Sequence, residues 1–332
     1  VAIGKESMAL TQDDKRLLYH LQYIGDKSVA ELAADFKLRE SSLQSKIARW
    51  EREQKIAQRV FINTFAIGAN EVELFFTPTK TTRRAQAELA KAVAKASGVR
   101  WFFRTAGKHE FILGIEALTI AQITKHLEQL DANTDGIFAN REVGISIGYW
   151  WFGRKYLADE GTKHSFCLTQ LPTKELKAID DVDHRILRML GHKGVQSNRA
   201  MANELSIPQS TVGYRITNLA KNQIIAGTPY LISPAWLGML VYRLQLVFTT
   251  FSAQTHKELL RWSQQHRSVV SMMRLLGPWD YTLRCEVARP EEIADLTDEL
   301  HESFGPALKE CSIVSVVKEL SFSYYPIELF SE

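Results

Sequence analysis

Shifted by 169 positions, this 332-residue chain aligns with itself: residues 10–57 lie over residues 179–226 without a gap. Twelve of those 48 positions are identical, where composition alone would give roughly three. Among the identities are Asp14/Asp183, Arg16/Arg185, Leu21/Leu190, Gly25/Gly194, Ser28/Ser197, Ser41/Ser210, Ile47/Ile216 and Gln54/Gln223. Near-misses such as Leu43/Val212 and Trp50/Leu219 exchange one apolar residue for another. One structural unit is therefore written twice, and any fold must contain two equivalent halves.

Each copy opens with three short helical patterns. The first carries Leu17, Leu18 and Leu21 on one face behind Asp13 or Asp14 as cap; its twin carries Ile186, Leu187 and Leu190 behind Asp180 or Asp181. In copy two, Ala200, Ala202 and Leu205 form the next face, and Val212, Ile216 and Leu219 the third. Pro208 resets the chain between them, with Ser210 or a neighbour as the new cap. From residue 206 to 230 there are two basic residues, Arg215 and Lys221, and no acid. A short helix, a tight turn and a polar helix form the helix-turn-helix pattern. Apolar strands at 59–62 and 228–232 would close the two heads.

After each head comes the same order, β-α-β-β-α-β. In copy one the segments are 71–77, 81–97, 99–105, 110–116, 118–131 and about 136–149; in copy two, 241–249, 253–265, 269–275, 280–287, 290–303 and 310–323. This split βαβ order gives a ferredoxin-like module, with two helices on one face of a four-stranded antiparallel sheet. The other face needs a partner sheet or solvent-compatible side chains. Pairing of the two sheets back to back within the chain would supply the partner. The expected class is thus α+β, with domains at 9–62, 66–150, 177–232 and 237–327, and a linker at 151–176. The aromatic run from Tyr149 to Phe152 reads as packed.

Composition narrows the function. A net charge of +3 and a sequence pI near 8.6 confine any nucleic-acid footprint to a local surface. Three scattered cysteines give neither a disulfide framework nor a zinc ribbon and fit a reducing cytoplasm. No apolar run reaches 18 residues, so no membrane partner is expected, and residues 1–7 are too polar for a signal peptide. The nine histidines show no metal-ligand spacing, and no nucleophile elbow, phosphate loop or carboxylate pair stands out. The expectation is a non-enzyme with no metal and no cofactor.

At this point the chain resembles the leucine-responsive/AsnC regulators, twice over. In copy two the resemblance rests on residues 181–187 (DVDHRIL), 207–216 (IPQSTVGYRI) and 224–227 (IIAG), on the turn and strand GPWDYTL at 277–283, and on Lys318-Glu319. Copy one departs from the pattern, with Arg39-Glu40 in place of Pro208-Gln209 and a turn that reads GKHEF at 107–111. The resemblance implies double-stranded DNA as partner, an amino-acid-like or other small-molecule effector, self-association through the sensor modules, and a cytoplasmic, nucleoid-associated protein. Family members are usually single-copy chains that dimerise, so this chain would be a covalent pseudo-dimer.

Direct readout needs side chains at the start of the recognition helix, with phosphate ligands beside them. In copy two these are Gln209, Ser210, Thr211, Tyr214 and Arg215, with Arg199, Asn218 and Lys221 for phosphates; in copy one, Ser41, Ser42, Gln44, Ser45, Lys46 and Arg49. An effector cleft would use the turns with Gly107 and His109, and with Gly277, Trp279 and Asp280. The alternative is a sirohaem decarboxylase-like tetrapyrrole enzyme, which shares the two-domain layout. Such an enzyme needs histidines at its cleft, and residues 99–105 and 269–275 contain none.

Overall fold

The computed structural model describes residues 10–23, 28–80, 82–134, 136–159, 162 and 166–327. Gly25 and residues 1–7 lie outside them. Head one contains α1 (Gln12–Leu21), α2 (Val29–Asp35) and α3 (Glu40–Arg52); head two contains α6 (Asp181–Lys193), α7 (Asn198–Leu205) and α8 (Gln209–Lys221). Between them in sequence lie α4 (Arg83–Lys95) and α5 (Ile120–Ala132), and after them α9 (Ala253–Gln265) and α10 (Glu291–Phe304).

Capping follows the duplication with one correction. Asp180 caps α6, but the cap of α1 is Thr11, and Asp14 instead returns a bond to the Thr11 backbone N–H. The threonine hydroxyl reaches the N3 amide, so the acid three residues later completes a capping box. Two further expectations change. Met201 faces the core in α7 while Ala200 is exposed, and Pro208, not Ser210, is the N-cap of α8, with no side-chain bond. The helix-turn-helix bend has the same backbone in both copies: Lys37 and Ser206 both sit in the left-handed region, at φ 52° and 56°. Arg39 adopts nearly the conformation of Pro208 (ψ 137° and 142°), so copy one keeps the motif without the proline.

The strands that follow each head do form, but each closes the other head. Strand β1 (Ile56–Gln58) pairs antiparallel with β9 (Tyr230–Ile232), and β2 (Phe61–Ile62) with β8 (Ile225–Gly227). Tyr230 and Ile232 thereby enter the core of head one beside Leu18, Ile47 and Trp50, with Trp236 against the Trp50 ring at 5.6 Å. Val60, Ile62, Ala66 and Ile67 enter the core of head two beside Leu187, Leu205 and Val212. An apolar strand goes where it buries most surface, and here the exchange lets each copy complete the other.

The two ferredoxin-like modules are joined edge to edge rather than back to back. Module one contributes β3 (Asn70–Pro78), β4 (Val99–Ala106), β5 (Phe111–Ala117) and β6 (Phe138–Trp151). Module two contributes β10 (Leu240–Phe248), β11 (Val269–Leu276), β12 (Tyr281–Val287) and β13 (Leu308–Phe322). The order is β11-β12-β10-β13-β4-β5-β3-β6, and β6 also pairs with β11, which closes an eight-stranded antiparallel barrel. The closure comes from the long last strands. β13 leaves β10 after Val316 and runs on beside β4, while β6 leaves β3 and runs on beside β11. Closure removes the exposed edges that two separate sheets would keep. The helices cover the outside over two cores, one around Leu74, Phe102 and Phe111, the other around Leu244, Met272 and Leu283.

The linker is more ordered than its composition suggests. A short β7 (Leu168–Gln170) adds to β6, and Trp150, Trp151 and Phe152 are buried, as is Lys155.

Candidate nucleic-acid interface

The two recognition helices, α3 and α8, are held by the same device. In head two the Arg215 guanidinium contacts Asp180 at 2.6 Å and Asp183 at 3.2 Å. In head one Lys46, the residue equivalent to Arg215, is ion-paired with Asp14, the equivalent of Asp183, and lies over the Trp50 ring at 5.3 Å. Each pair ties the recognition helix to the start of the first helix. Burial pulls the Asp14 carboxyl upward, but hydrogen bonds from Lys46 and Thr11 outweigh it and hold it below the usual carboxylate range. The Asp183 N–H and the Arg215 guanidinium hold Asp180 low as well, whereas burial pushes Asp183 up.

Of the residues expected to meet DNA, most face outward. On α8, Gln209 and Ser210 are exposed, Thr211 and Asn218 half-buried, and Tyr214 is 69% exposed. Lys221 ends the helix in solvent, and Arg199 is exposed on α7. Val212 and Leu219 fix this orientation by filling the core on the opposite side. On α3, Ser41, Ser42, Gln44, Ser45 and Arg49 are exposed above Leu43, Ile47 and Trp50. Three of these make bonds within the helix: Gln44 donates to Glu40 at 2.9 Å, and the Ser45 hydroxyl to the Ser41 carbonyl at 2.8 Å. The outer face of α8 carries no acid, while α3 places Glu40 and Glu51 among its bases.

The turns expected at an effector cleft lie on the barrel, each against the last strand of the other copy. A Cβ on Gly277 would fall 2.7 Å from the Val143 carbonyl, so the close approach to β6 requires glycine there. Gly107 faces Val314 on β13. Trp279 is buried, edge-on to Phe75 at 4.6 Å, and Asp280 accepts the Phe248 N–H at 2.7 Å. His109 is buried against Glu142 at 2.8 Å. These three side chains are engaged within the fold. No group of three metal-ligating side chains occurs among the described residues.

Sequence reasoning missed the charged barrel interior. Arg100 meets Glu116 at 2.7 Å, Arg154 meets Glu286 at 2.8 Å, and Arg243 is ion-paired with Glu73, all buried. Burial alone would pull Arg100 down, but Glu116 and Glu71 outweigh it and hold the arginine above its ordinary value, while burial pushes Glu116 up. The signal was present as charge alternating with apolar residues along single strands, Glu71-Val72-Glu73-Leu74 and Thr282-Leu283-Arg284-Cys285-Glu286.

Residues 179–226 match the winged helix-turn-helix DNA-binding family. An uncharacterised HTH-type transcriptional regulator of Pyrococcus horikoshii is 28% identical over 149 residues, 43% of this chain and 97% of its own. The siroheme decarboxylase NirDL, in co-complex with an iron-uroporphyrin III analogue, superposes over 95% of both chains at TM-score 0.60 and 11% identity, a likeness of fold. An AsnC family regulator from Agrobacterium tumefaciens, 16% identical, covers 44% of this chain and 94% of its own at TM-score 0.39. Among the described residues no helix is long and apolar enough to cross a membrane. The chain is a tandem duplication of a helix-turn-helix and ferredoxin-like unit, and its second copy matches the winged helix-turn-helix DNA-binding family.

Proposed function

We propose that this chain is a sequence-specific, double-stranded-DNA-binding transcription regulator, a covalent pseudo-dimer acting on the bacterial or archaeal nucleoid in the cytoplasm. The observation that carries this reading is α8: a helix with an exposed, acid-free outer face, second in a winged helix-turn-helix. Gln209, Ser210, Thr211 and Tyr214 would read base edges, with Arg199, Asn218 and Lys221 on phosphates. Arg215 acts at one remove by holding the helix. Head one, with Ser41, Ser42, Gln44, Ser45 and Arg49 outward, would read a second and different half-site, so the preferred operator is not a palindrome.

The exchanged strands bear on this reading. Heads on a loose tether find two half-sites through effective concentration. Heads whose cores share strands are held in one relative placement, so half-site spacing is restricted. The effector belongs to this reading as an amino-acid-like molecule at the Gly107 and Gly277 turns. Self-association would use the outer barrel surface beside them, where Val143, Ile145, Leu276 and Ile313 are exposed.

The second reading, a sirohaem decarboxylase-like enzyme, draws on the whole-chain likeness of fold to NirDL. Against it, none of the residues lining the large barrel cavity is a histidine. Titration of the protein against labelled genomic fragments at several salt concentrations separates the two. Specific binding that weakens steeply with salt supports the regulator. Absence of any preferred fragment, together with a Soret shift on adding iron uroporphyrin, supports the enzyme.

A further inference from the structure

Where the barrel meets the heads lies a cavity of about 710 Å³, within the range of small-molecule sites. Its roof is the exchanged ribbon, Ile56 and Ala57 of β1 with Leu231 and Ile232 of β9. Its walls are the inner face of the barrel, with Trp101, Phe103, Tyr149 and Trp151 as the aromatic surface. Trp101 and Phe103 also belong to the apolar cluster with Phe75 and Trp279, beyond which the barrel is filled.

The charges facing this space are not all spent. Seven basic and two acidic side chains line it. Arg100, Arg154 and Arg243 are committed to buried glutamates, and Lys55 pairs with Glu53. Two of these cations are left less occupied: Arg284 shares Glu286 with Arg154 at 3.3 Å, and Arg59 lies over the Tyr324 ring at 5.8 Å, while Lys318 stands opposite the exposed Arg104 on the outer face of the barrel. Of the two acids, Glu71 accepts from Trp101 Nε1 at 3.1 Å and stands 4.0 Å from Arg100. Glu319 makes no ion pair among the described residues. The hydroxyl of Thr282, a residue only 2% exposed, lines the cavity with no hydrogen-bond partner. A buried hydroxyl left unpaired is costly unless something arrives to pair with it.

We propose that this cavity is a binding site for an aromatic carboxylate, a flat apolar body bearing a single anionic group, and that its occupancy alters how the two heads are held. The aromatic walls take the ring, Arg284 takes the carboxylate, and Thr282 donates to it. The site is distinct from the Gly107 and Gly277 turns. Since the roof is the ribbon that completes both heads, a ligand beneath it acts on both at once. The coupling rests on the regulatory reading above, while the binding site does not.

The probe is 2-naphthoate, followed by quenching of the tryptophans that line the cavity, in the full chain. Saturable binding of one equivalent, about tenfold tighter than naphthalene-2-carboxamide, is expected, because the amide keeps the ring and loses the charge. Arg284→Gln is expected to weaken naphthoate about tenfold and leave the carboxamide unchanged. Val316→Trp, which fills the space from the inward-facing side of β13, is expected to abolish binding of both. Non-saturable quenching, equal affinity for the amide, preference for L-tryptophan over naphthoate, or indifference to Val316→Trp overturns the site. In the DNA arm, saturating naphthoate is expected to change wild-type affinity for its preferred fragment severalfold. An unchanged affinity overturns the coupling while the quenching result stands. If no fragment is bound at all, the regulatory reading fails and the coupling with it, and the quenching still decides the site.

Discussion

Arg215 and Lys46, one in each head, occupy equivalent places and make equivalent contacts, Arg215 with Asp183 and Lys46 with Asp14. Both were expected to touch DNA; the structure instead puts them between the recognition helix and the first helix. Arg215→Ala is therefore expected to cost about 0.5–1 kcal/mol of stability, the scale of a partly exposed ion pair. A double-mutant cycle with Asp183→Asn checks this by chemical denaturation. Coupling near zero would return Arg215 to the list of direct DNA ligands.

Tyr214 and Lys221 stand clear of the core on the same helix. Tyr214→Ala is expected to lower affinity for the preferred fragment by about 1–3 kcal/mol and relax its sequence preference, with the melting temperature unchanged. Lys221→Gln is expected to weaken all fragments alike and reduce the salt slope by about one. Gel-shift titrations across salt concentrations distinguish the two behaviours.

The heads and modules were readable because their signals are local. Helical spacing in residues 181–221 and alternation in residues 240–248 each speak within one element, and the observed bounds fall within a few residues of those expected. The strand exchange was not readable. Residues 59–62 and 228–232 carry the same apolar pattern whichever head they complete, and the choice depends on contacts some 170 positions apart. Nor was the cavity. Arg243 and Glu73 look like the solvent face of an amphipathic strand until a second sheet edge closes the barrel over them. The length of β6 and β13, 14 and 15 residues, is the trace this closure leaves in the chain.

The exchange makes each half depend on the other. Residues 1–176 and 177–332, produced separately, are each expected to lack a cooperative unfolding transition and to regain it on mixing. Circular dichroism melts of the two fragments, alone and together, test this. In the full chain Ile232→Ala, a substitution in the segment after head two, is expected to cost about 2–5 kcal/mol and to loosen head one. Amide exchange should show the lost protection in α1 and α3, not in α6 and α8; the reverse pattern would place Ile232 in its own head.

Lys155 is buried and has no carboxylate partner among the described residues. It leaves the linker to donate to the carbonyls of Ser263, at 2.9 Å, and Val269, and it lies over the Phe152 ring. These bonds fasten the linker to α9 and β11. Burial pulls its pKa down to about 7, with Cys285 and Cys167 acting weakly the other way. The unfolded chain keeps this lysine protonated up to its ordinary value near 10.5. Between pH 7 and 10.5 the unfolded state thus binds more protons than the folded one, so stability from this group rises with pH across that window. Below pH 7 the full penalty of the buried charge is present. Lys155→Met removes the titration, and its stability relative to wild type is expected to be most favourable near pH 6.5 and to decline steadily toward pH 10. Denaturant melts of both proteins at pH 6.5, 8 and 9.5 measure that difference, and parallel curves would mean that Lys155 stays charged throughout.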